Sequence, residues 1–133
     1  MSPDTTAIIA PPWSLKGNGY ILPYRFDRDF VMEHGRIPEA LQSEYRGGIG
    51  SVMFSDYEQT PVGPYRELLF IPGQFQFGRR RYYMVTQIYV STEVSVDNGQ
   101  ENWGIPKQLA QFHVEGVDER VKQFTAGQNG EPF

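Results

Sequence analysis

The sequence predicts a mainly β fold of the α+β class, built on an antiparallel sheet with a few short helices. Two observations lead to this prediction. Segments rich in Val, Ile, Tyr and Phe recur along the 133 residues, and Gly, Pro or Asn turns separate them. The helical patterns between them are short. With 39% hydrophobic and 14% aromatic residues, the chain has enough apolar side chains to form a core.

The individual elements follow from local patterns. Strands are predicted at residues 19–26, 49–57, 65–71, 81–91, 112–118 and 120–126, and the segment RYYMVTQIYVS is the strongest of them. Short helices are predicted at residues 27–34, 38–45 and 105–111; the last two have a proline in their first turn. Asp97-Asn98-Gly99 is predicted to be a turn.

The domain organisation is simple. Residues 1–12 are predicted to form a flexible N-terminal arm that ends in Pro11-Pro12, and residues 13–133 to form one domain. Asn129-Gly130 is a favoured two-residue hairpin turn, but only Glu131-Pro132-Phe133 follow it. We therefore expect the domain to be incomplete at its C-terminus. The alternative is a frayed tail on a complete small domain.

Composition argues against several classes of protein. A net charge of -4 gives no reason to expect nucleic acid or an anionic membrane as partner. Without cysteine there are no disulfides, and no secretory leader or long apolar segment is present, so we expect a cytoplasmic protein. His34 and His113 are isolated, so we expect no metal site. The sequence contains no phosphate-binding glycine motif, so we expect no bound cofactor.

Two charged residues stand in apolar segments and could carry chemistry. Lys107 lies among Trp103, Ile105, Pro106, Leu109 and Phe112. A neutral lysine amine is a nucleophile towards ketones and aldehydes. The alternative, which this segment alone favours, is a surface lysine with its stem packed and its head in water. Glu67, in the strand YRELLFI, either faces solvent by alternation or points into a pocket as a general acid or base.

Two blocks of sequence resemble the acetoacetate decarboxylase superfamily. The first is Gly63-Pro64-Tyr65-Arg66-Glu67, in the setting of that family's active-site glutamate. The second runs from Asn98-Gly99-Gln100-Glu101 to Ile105-Pro106-Lys107-Gln108-Leu109, where the family has a turn followed by Pro-Lys-Lys-Leu. The first lysine of that signature forms the Schiff base and corresponds to Lys107. The second corresponds to Gln108, so this chain lacks the neighbouring cation.

The resemblance implies a fold and a function. The fold would be an antiparallel β cone or barrel with flanking helices, assembled into a homo-oligomer. The function would be that of a Schiff-base lyase that acts on a small keto acid or carbonyl substrate, either by decarboxylation or by aldol and dehydration chemistry. Lys107 and Glu67 would be catalytic, and Tyr65, Trp103 and Gln108 would bind substrate. The alternative is a non-catalytic small-molecule-binding barrel or a truncated, inactive homologue.

Overall fold

A computed structural model describes residues 7–116 and 120–133. Part of the predicted arm and the end of the strand predicted at 112–118 lie outside these residues. The helices are α1 (Arg28–His34), a 3₁₀ helix (Glu39–Glu44) and α2 (Glu93–Trp103). The strands are β1 (Lys16–Arg25), β2 (Tyr45–Gly47), β3 (Ile49–Gln59), β4 (Tyr65–Ile71), β5 (Gln74–Phe77), β6 (Arg80–Tyr83), β7 (Gln87–Val90), β8 (Gln108–Leu109), β9 (Gln111–Gly116), β10 (Lys122–Gln128) and β11 (Glu131–Pro132).

The strands of the described residues form three sheets. The largest has the order β1-β3-β4-β7-β8, and the other two have the orders β11-β10-β9 and β2-β5-β6. Both smaller sheets are antiparallel, whereas β7 and β8 pair in parallel. The prediction of a mainly β fold with short helices is confirmed. Within the described residues the strand orders are linear and do not close into a barrel.

The chain divides into two compact units. Unit A contains the described residues of 7–18, 56–67 and 89–133, and unit B contains Gly19–Ser55 and Leu68–Ile88. Both candidate catalytic residues belong to unit A.

Unit B has its own apolar core. Asp27 caps α1 by accepting a hydrogen bond from the Phe30 N–H at 3.1 Å. The helix ends at His34, the last residue of the predicted helix 27–34, and Gly35 is its C-cap. Its Val31 side chain is fully buried. The core consists of Val31, Ile37, Tyr45 and Phe75, with Phe26, Met32, Leu41 and Met84 packed against it.

Tyr45 joins this core to the backbone. Its ring packs on Phe75 at a centroid distance of 5.4 Å, and its hydroxyl donates a hydrogen bond to the Pro72 carbonyl at 3.0 Å. Tyr45 is 1% exposed, so this carbonyl contact replaces the water that an exposed phenol would bind.

Two predicted elements around residue 100 were wrong. Asp97-Asn98-Gly99 lies inside α2 instead of forming a turn, because Thr92 caps the helix and accepts a hydrogen bond from the Ser95 N–H at 3.3 Å. The helix ends only at Gly104, whose φ of 64° suits a glycine.

The helix predicted at 105–111 is also absent from the structure. Residues 105–107 form a loop, and Gln108–Leu109 pairs with β7 as a short parallel strand. The Ala110 N–H donates to the Val90 carbonyl at 2.9 Å, so pairing to β7 takes the place of helical hydrogen bonds. The single strand predicted at 81–91 is interrupted between Tyr83 and Gln87 to give β6 and β7.

The Tyr45 contact gives a test of unit B. Tyr45→Phe leaves the buried Pro72 carbonyl without its donor, and we expect the free energy of unfolding to fall by about 1–3 kcal/mol. Tyr83→Phe is the matched control, because Tyr83 is 59% exposed. Urea denaturation measures both variants. Equal midpoints for the two variants would show that the buried hydroxyl contributes nothing.

Candidate active site

Lys107 is buried in unit A, contrary to the surface position that its segment alone favoured. The residue is 8% exposed. Its N–H donates to the Ile105 carbonyl at 2.8 Å, which tightens the loop after α2, and β8 begins at the next residue. The backbone of Lys107 is therefore held between the end of the helix and the parallel pairing of β8 with β7.

Glu67 faces the lysine from strand β4. The Lys107 Nζ lies 3.4 Å from the Glu67 Oε1, with side-chain exposures of 4% and 10%. Tyr65 and Glu67 are the two buried residues of β4 and alternate along it, so both point to the same face of the strand. Of the two orientations open to Glu67 from sequence, the structure shows the buried one.

Two hydrogen bonds of Arg66, one from the backbone and one to the side chain of Ser91, join β4 to the residue before the cap of α2. The Arg66 N–H donates to the Ser91 Oγ at 2.8 Å, and the Ser91 N–H donates to the Arg66 carbonyl at 3.0 Å. Thr92, the cap of α2, follows directly. Arg66, which lies between Tyr65 and Glu67, is thus held to Ser91, the residue before the helix cap. This fixes the position of the strand relative to the start of the helix.

Two residues of α2, one turn apart, contact the lysine. A Cβ on Gly99 would lie 2.7 Å from the Lys107 Cδ and 2.8 Å from its Cε, so the absence of a side chain lets the lysine stem pass the helix. Ser95, which is fully buried, accepts a hydrogen bond from the Lys107 Nζ at 3.3 Å. Neither residue was among the predicted site residues. Their spacing from Lys107 becomes informative only once residues 93–103 are known to be helical.

Tyr65 completes the surroundings of the amine. Its ring centroid lies 5.3 Å from the Lys107 Nζ, within range of a cation–π interaction, and its side chain is hydrogen-bonded to Ser95. Burial, with the Glu67 charge beside it, raises the pKa of Tyr65 to about 12, although the Ser95 hydrogen bond acts in the opposite direction. Tyr65 is therefore a neutral phenol near neutral pH.

The Glu67 carboxyl is held in a partly desolvated position. Burial raises its pKa above the ordinary value of 4.5, and the Lys107 ammonium offsets part of that increase by its charge and hydrogen bond. A carboxyl group with a raised pKa next to an amine suits proton transfer.

The other two predicted substrate-binding residues lie apart from this cluster. Trp103 is 45% exposed, and its ring makes an edge contact with Trp13 at 4.9 Å. Gln108 is exposed, and its Oε1 accepts a hydrogen bond from Gln128 at 3.4 Å. The structure thus brings Lys107, Glu67 and Tyr65 together, and it gives Trp103 and Gln108 other contacts.

Part of the segment predicted as an arm is hydrogen-bonded to α2. Asn98, fully buried, accepts from the Ile9 N–H at 2.7 Å and donates to the Ala7 carbonyl at 2.9 Å. Asn102 and Trp13 each donate to the Ile9 carbonyl, at 2.7 and 2.9 Å. Asn98 therefore anchors the chain at residues 7–9 to the same helix that contacts Lys107.

Neither a metal site nor a membrane span is found in the part of the chain that the structure describes. No group of three or more His, Cys, Asp or Glu side chains there could hold a metal ion. No helix there is long and apolar enough to cross a membrane.

Comparison with known proteins identifies the family. The sequence model described as acetoacetate decarboxylase (ADC) matches residues 1–133. The chain belongs to the acetoacetate decarboxylase family.

Solved structures share the fold of this family member. An acetoacetate decarboxylase from Legionella pneumophila superposes with a TM-score of 0.70 at 16% identity, over 98% of this chain and 52% of that chain. A second acetoacetate decarboxylase gives a TM-score of 0.73 at 20% identity, over 94% of this chain and 50% of that chain. The enduracididine biosynthesis enzyme MppR, complexed with pyruvate, gives 0.70 at 18% identity, over 97% and 57%.

A curated relative is also similar. Protein NEOXANTHIN-DEFICIENT 1 of Arabidopsis thaliana is 24% identical over 106 residues, which cover 77% of this chain and 36% of the relative. The chain thus spans about half the length of the solved relatives and 36% of this one.

The raised pKa of Glu67 predicts how this family member responds to pH. Between 4.5 and the raised pKa, the folded state holds a proton that the unfolded state has lost. The contribution of Glu67 to stability is therefore full below pH 4.5 and declines as the pH rises through that window. We expect the free energy of unfolding of the wild type to decline relative to that of Glu67→Gln across the same window.

Urea denaturation at a series of pH values measures this difference. The matched control is Glu58→Gln, because Glu58 is exposed and solvent screens its charge, so its curve should run parallel to the wild type. A Glu67→Gln curve that is equally parallel would contradict the raised pKa.

Proposed function

We propose that this protein is a carbon–carbon lyase that forms a Schiff base with a small carbonyl substrate, foremost a keto acid. The observation that carries the proposal is the buried Lys107 Nζ, 3.4 Å from the Glu67 Oε1. A buried amine beside a carboxyl group provides a nucleophile and a proton carrier in one place. Family membership supports the assignment, because the resemblance of the two sequence blocks matches these residues to the family's Schiff-base lysine and active-site glutamate.

The pair can form an imine without a change in its total charge. A proton passes from the Lys107 ammonium to the Glu67 carboxylate, and the neutral amine then adds to the carbonyl carbon. The carbinolamine loses its hydroxyl group as water with the proton that Glu67 returns. The products are a cationic iminium on Lys107 and a Glu67 carboxylate. The pair therefore begins and ends with one positive and one negative charge, is neutral on both groups in between, and has no net charge at any step. A buried site favours such a sequence because no net charge has to be desolvated.

The iminium would drive the next step as an electron sink. Electrons of the bond to a departing carboxylate flow to the iminium nitrogen, which releases carbon dioxide and leaves an enamine. Alternatively, an adjacent C–H proton passes to the Glu67 carboxylate and leaves an enamine that keeps the substrate carboxylate. That enamine can attack an aldehyde in an aldol reaction or lead to dehydration. The solved relative that holds pyruvate is a keto-acid complex and supports this substrate class. No metal or organic cofactor is needed for these steps.

Other features of the protein are proposed on the same basis. Tyr65 would form a wall of the substrate pocket, since its buried ring lies against the amine. Trp103 and Gln108 would contact a substrate only at its outer end, because both are exposed. We also propose that residues 13–133 form the lysine-bearing part of the family domain, that residues 1–12 act as an arm, and that the protein is a cytoplasmic homo-oligomer.

Covalent trapping tests the proposal directly. Borohydride reduces an iminium to a stable secondary amine, so pyruvate or acetoacetate with borohydride should add a covalent mass to Lys107, located by peptide mass spectrometry. Lys107→Met keeps an unbranched side chain and removes the nucleophile, and it should abolish the adduct. Lys122→Met is the control, since Lys122 is exposed, and it should label like the wild type.

If borohydride traps no adduct on the wild type with any keto acid or neutral ketone, the lyase proposal is wrong. If those compounds still bound, and bound equally to Lys107→Met, the protein would be a non-catalytic binding member of the family. An inactive homologue would show neither labelling nor binding.

Gly99 offers a second test, because its replacement should slow adduct formation on Lys107 without a matching loss in the free energy of unfolding. Gly99→Ala puts a methyl group where the Lys107 stem lies, so we expect adduct formation to slow by about ten- to a hundredfold from misplacement of the amine. Alanine in a helix interior is favoured over glycine by about 1 kcal/mol, which opposes any loss of stability. Asp97→Ala, at an exposed position of α2, is the control. Wild-type labelling of Gly99→Ala would contradict the role given to this contact.

A further inference from the structure

Ser95 has an arrangement that the two-residue chemistry above does not explain. It is 0% exposed, and its hydroxyl contacts both the amine of Lys107 and the side chain of Tyr65. A serine hydroxyl has one donor and two acceptor positions, so it can hold both neighbours at once. A serine that served only to start α2 would not need these contacts, since Thr92 already caps the helix.

The backbone of Ser95 is fixed independently of these contacts. Its N–H donates to the Thr92 Oγ1 at 3.3 Å, in the first turn of α2. Thr92 follows Ser91, which is hydrogen-bonded in both directions to Arg66 of β4. The hydroxyl therefore stands at a fixed position relative to the strand that carries Tyr65 and Glu67.

The lysine, by contrast, needs an external support for its amine. Its four-carbon stem has several rotatable bonds, and Gly99 leaves the stem room on one side. Glu67 gives one contact at 3.4 Å, which by itself leaves the Nζ free to turn about that contact. A second contact, from the Nζ to the Ser95 hydroxyl at 3.3 Å, comes from another direction. Together the two contacts fix the direction in which the lone pair of the neutral amine points.

We propose that Ser95 is a positioning residue for Lys107: its hydroxyl, held by Tyr65, accepts an N–H of the amine and directs the lone pair to the substrate carbonyl. This inference rests on the proposed Schiff-base function. Ser95 does not contact the reacting carbon, and it gains or loses no proton in the reaction. Tyr65 acts through Ser95 in this arrangement, in addition to forming the wall beside the amine.

The test measures how fast pyruvate and borohydride form the covalent adduct on Lys107 of the full chain. Two quantities are determined: the rate constant at saturating pyruvate and the pyruvate concentration that gives half of that rate. Ser95→Ala should lower the rate constant about tenfold, the effect of losing one hydrogen bond to a charged group, with the half-saturating concentration unchanged. Tyr65→Phe, which keeps the ring, should lower the rate constant about threefold. Ser95→Thr keeps the hydroxyl and should restore the wild-type rate constant. Ser43→Ala, at an exposed position of unit B, is the control.

The double variant separates positioning from a general loss of structure. If Tyr65 acts through Ser95, removing both hydroxyls should be no worse than Ser95→Ala alone, whereas independent effects would multiply. The inference is overturned if Ser95→Ala reacts at the wild-type rate, if its effect appears only in the half-saturating concentration, or if Ser95→Thr is as slow as an alanine variant. Should Ser95→Ala fail to fold, Tyr65→Phe and Ser95→Thr decide the matter by the same measurements.

Failure of the proposed function gives a different result. In that case the wild type itself is unlabelled by pyruvate, by acetoacetate and by neutral ketones. A labelled wild type with an equally reactive Ser95→Ala leaves the lyase proposal standing and removes only the role given to Ser95.

Discussion

The buried ion pair between Lys107 and Glu67 is the constraint on which the rest of unit A depends. Removing an ammonium or a carboxylate from water costs several kcal/mol per ion unless a partner compensates for it. That cost is comparable to the whole free energy of unfolding of one domain. Because the side chains are only 4% and 10% exposed, the strand and the loop that carry them must reach the same place together. The hydrogen bonds between Arg66 and Ser91, and between Ala110 and Val90, meet that requirement through the backbone and the Ser91 hydroxyl.

Helix α2 contributes three buried residues, two to the surroundings of the lysine and one to the N-terminal segment. Ser95 supplies an acceptor to the amine, Gly99 supplies room for the lysine stem, and Asn98 anchors residues 7–9 on another side of the helix. Since Ser95 and Gly99 are four residues apart, they share one face, and Asn98 turns about 100° away from Gly99. The helix therefore joins the N-terminal segment to the lysine through three buried residues.

Sequence reasoning predicted strand β4 correctly because alternation and β-branched or aromatic residues act locally. It missed α2, since Asp97, Asn98 and Gly99 form a strong turn signal, which the Thr92 cap and partners far away in the sequence together override. Besides the Val94 carbonyl in the same helix, Asn98 hydrogen-bonds to Ala7 and Ile9, about ninety residues earlier. The orientation of Glu67 was equally undetermined, because alternation gives two faces without saying which is buried. Only the resemblance to a family paired Glu67 with Lys107 before the structure did.

The position after Lys107 shows why family membership and local chemistry are separate questions. Gln108 stands where the family signature has its second lysine, and its side chain is exposed and hydrogen-bonded to Gln128. No second cation on β8 therefore adjoins the amine. The neighbours that do adjoin it are a carboxyl group, a serine hydroxyl and a phenol ring. A carboxyl group whose pKa is raised by burial can take and return a proton, which a second ammonium cannot do while it stays charged. The reactivity proposed for Lys107 would thus depend on its buried neighbours from β4 and α2, and the family lysine motif by itself would not determine it.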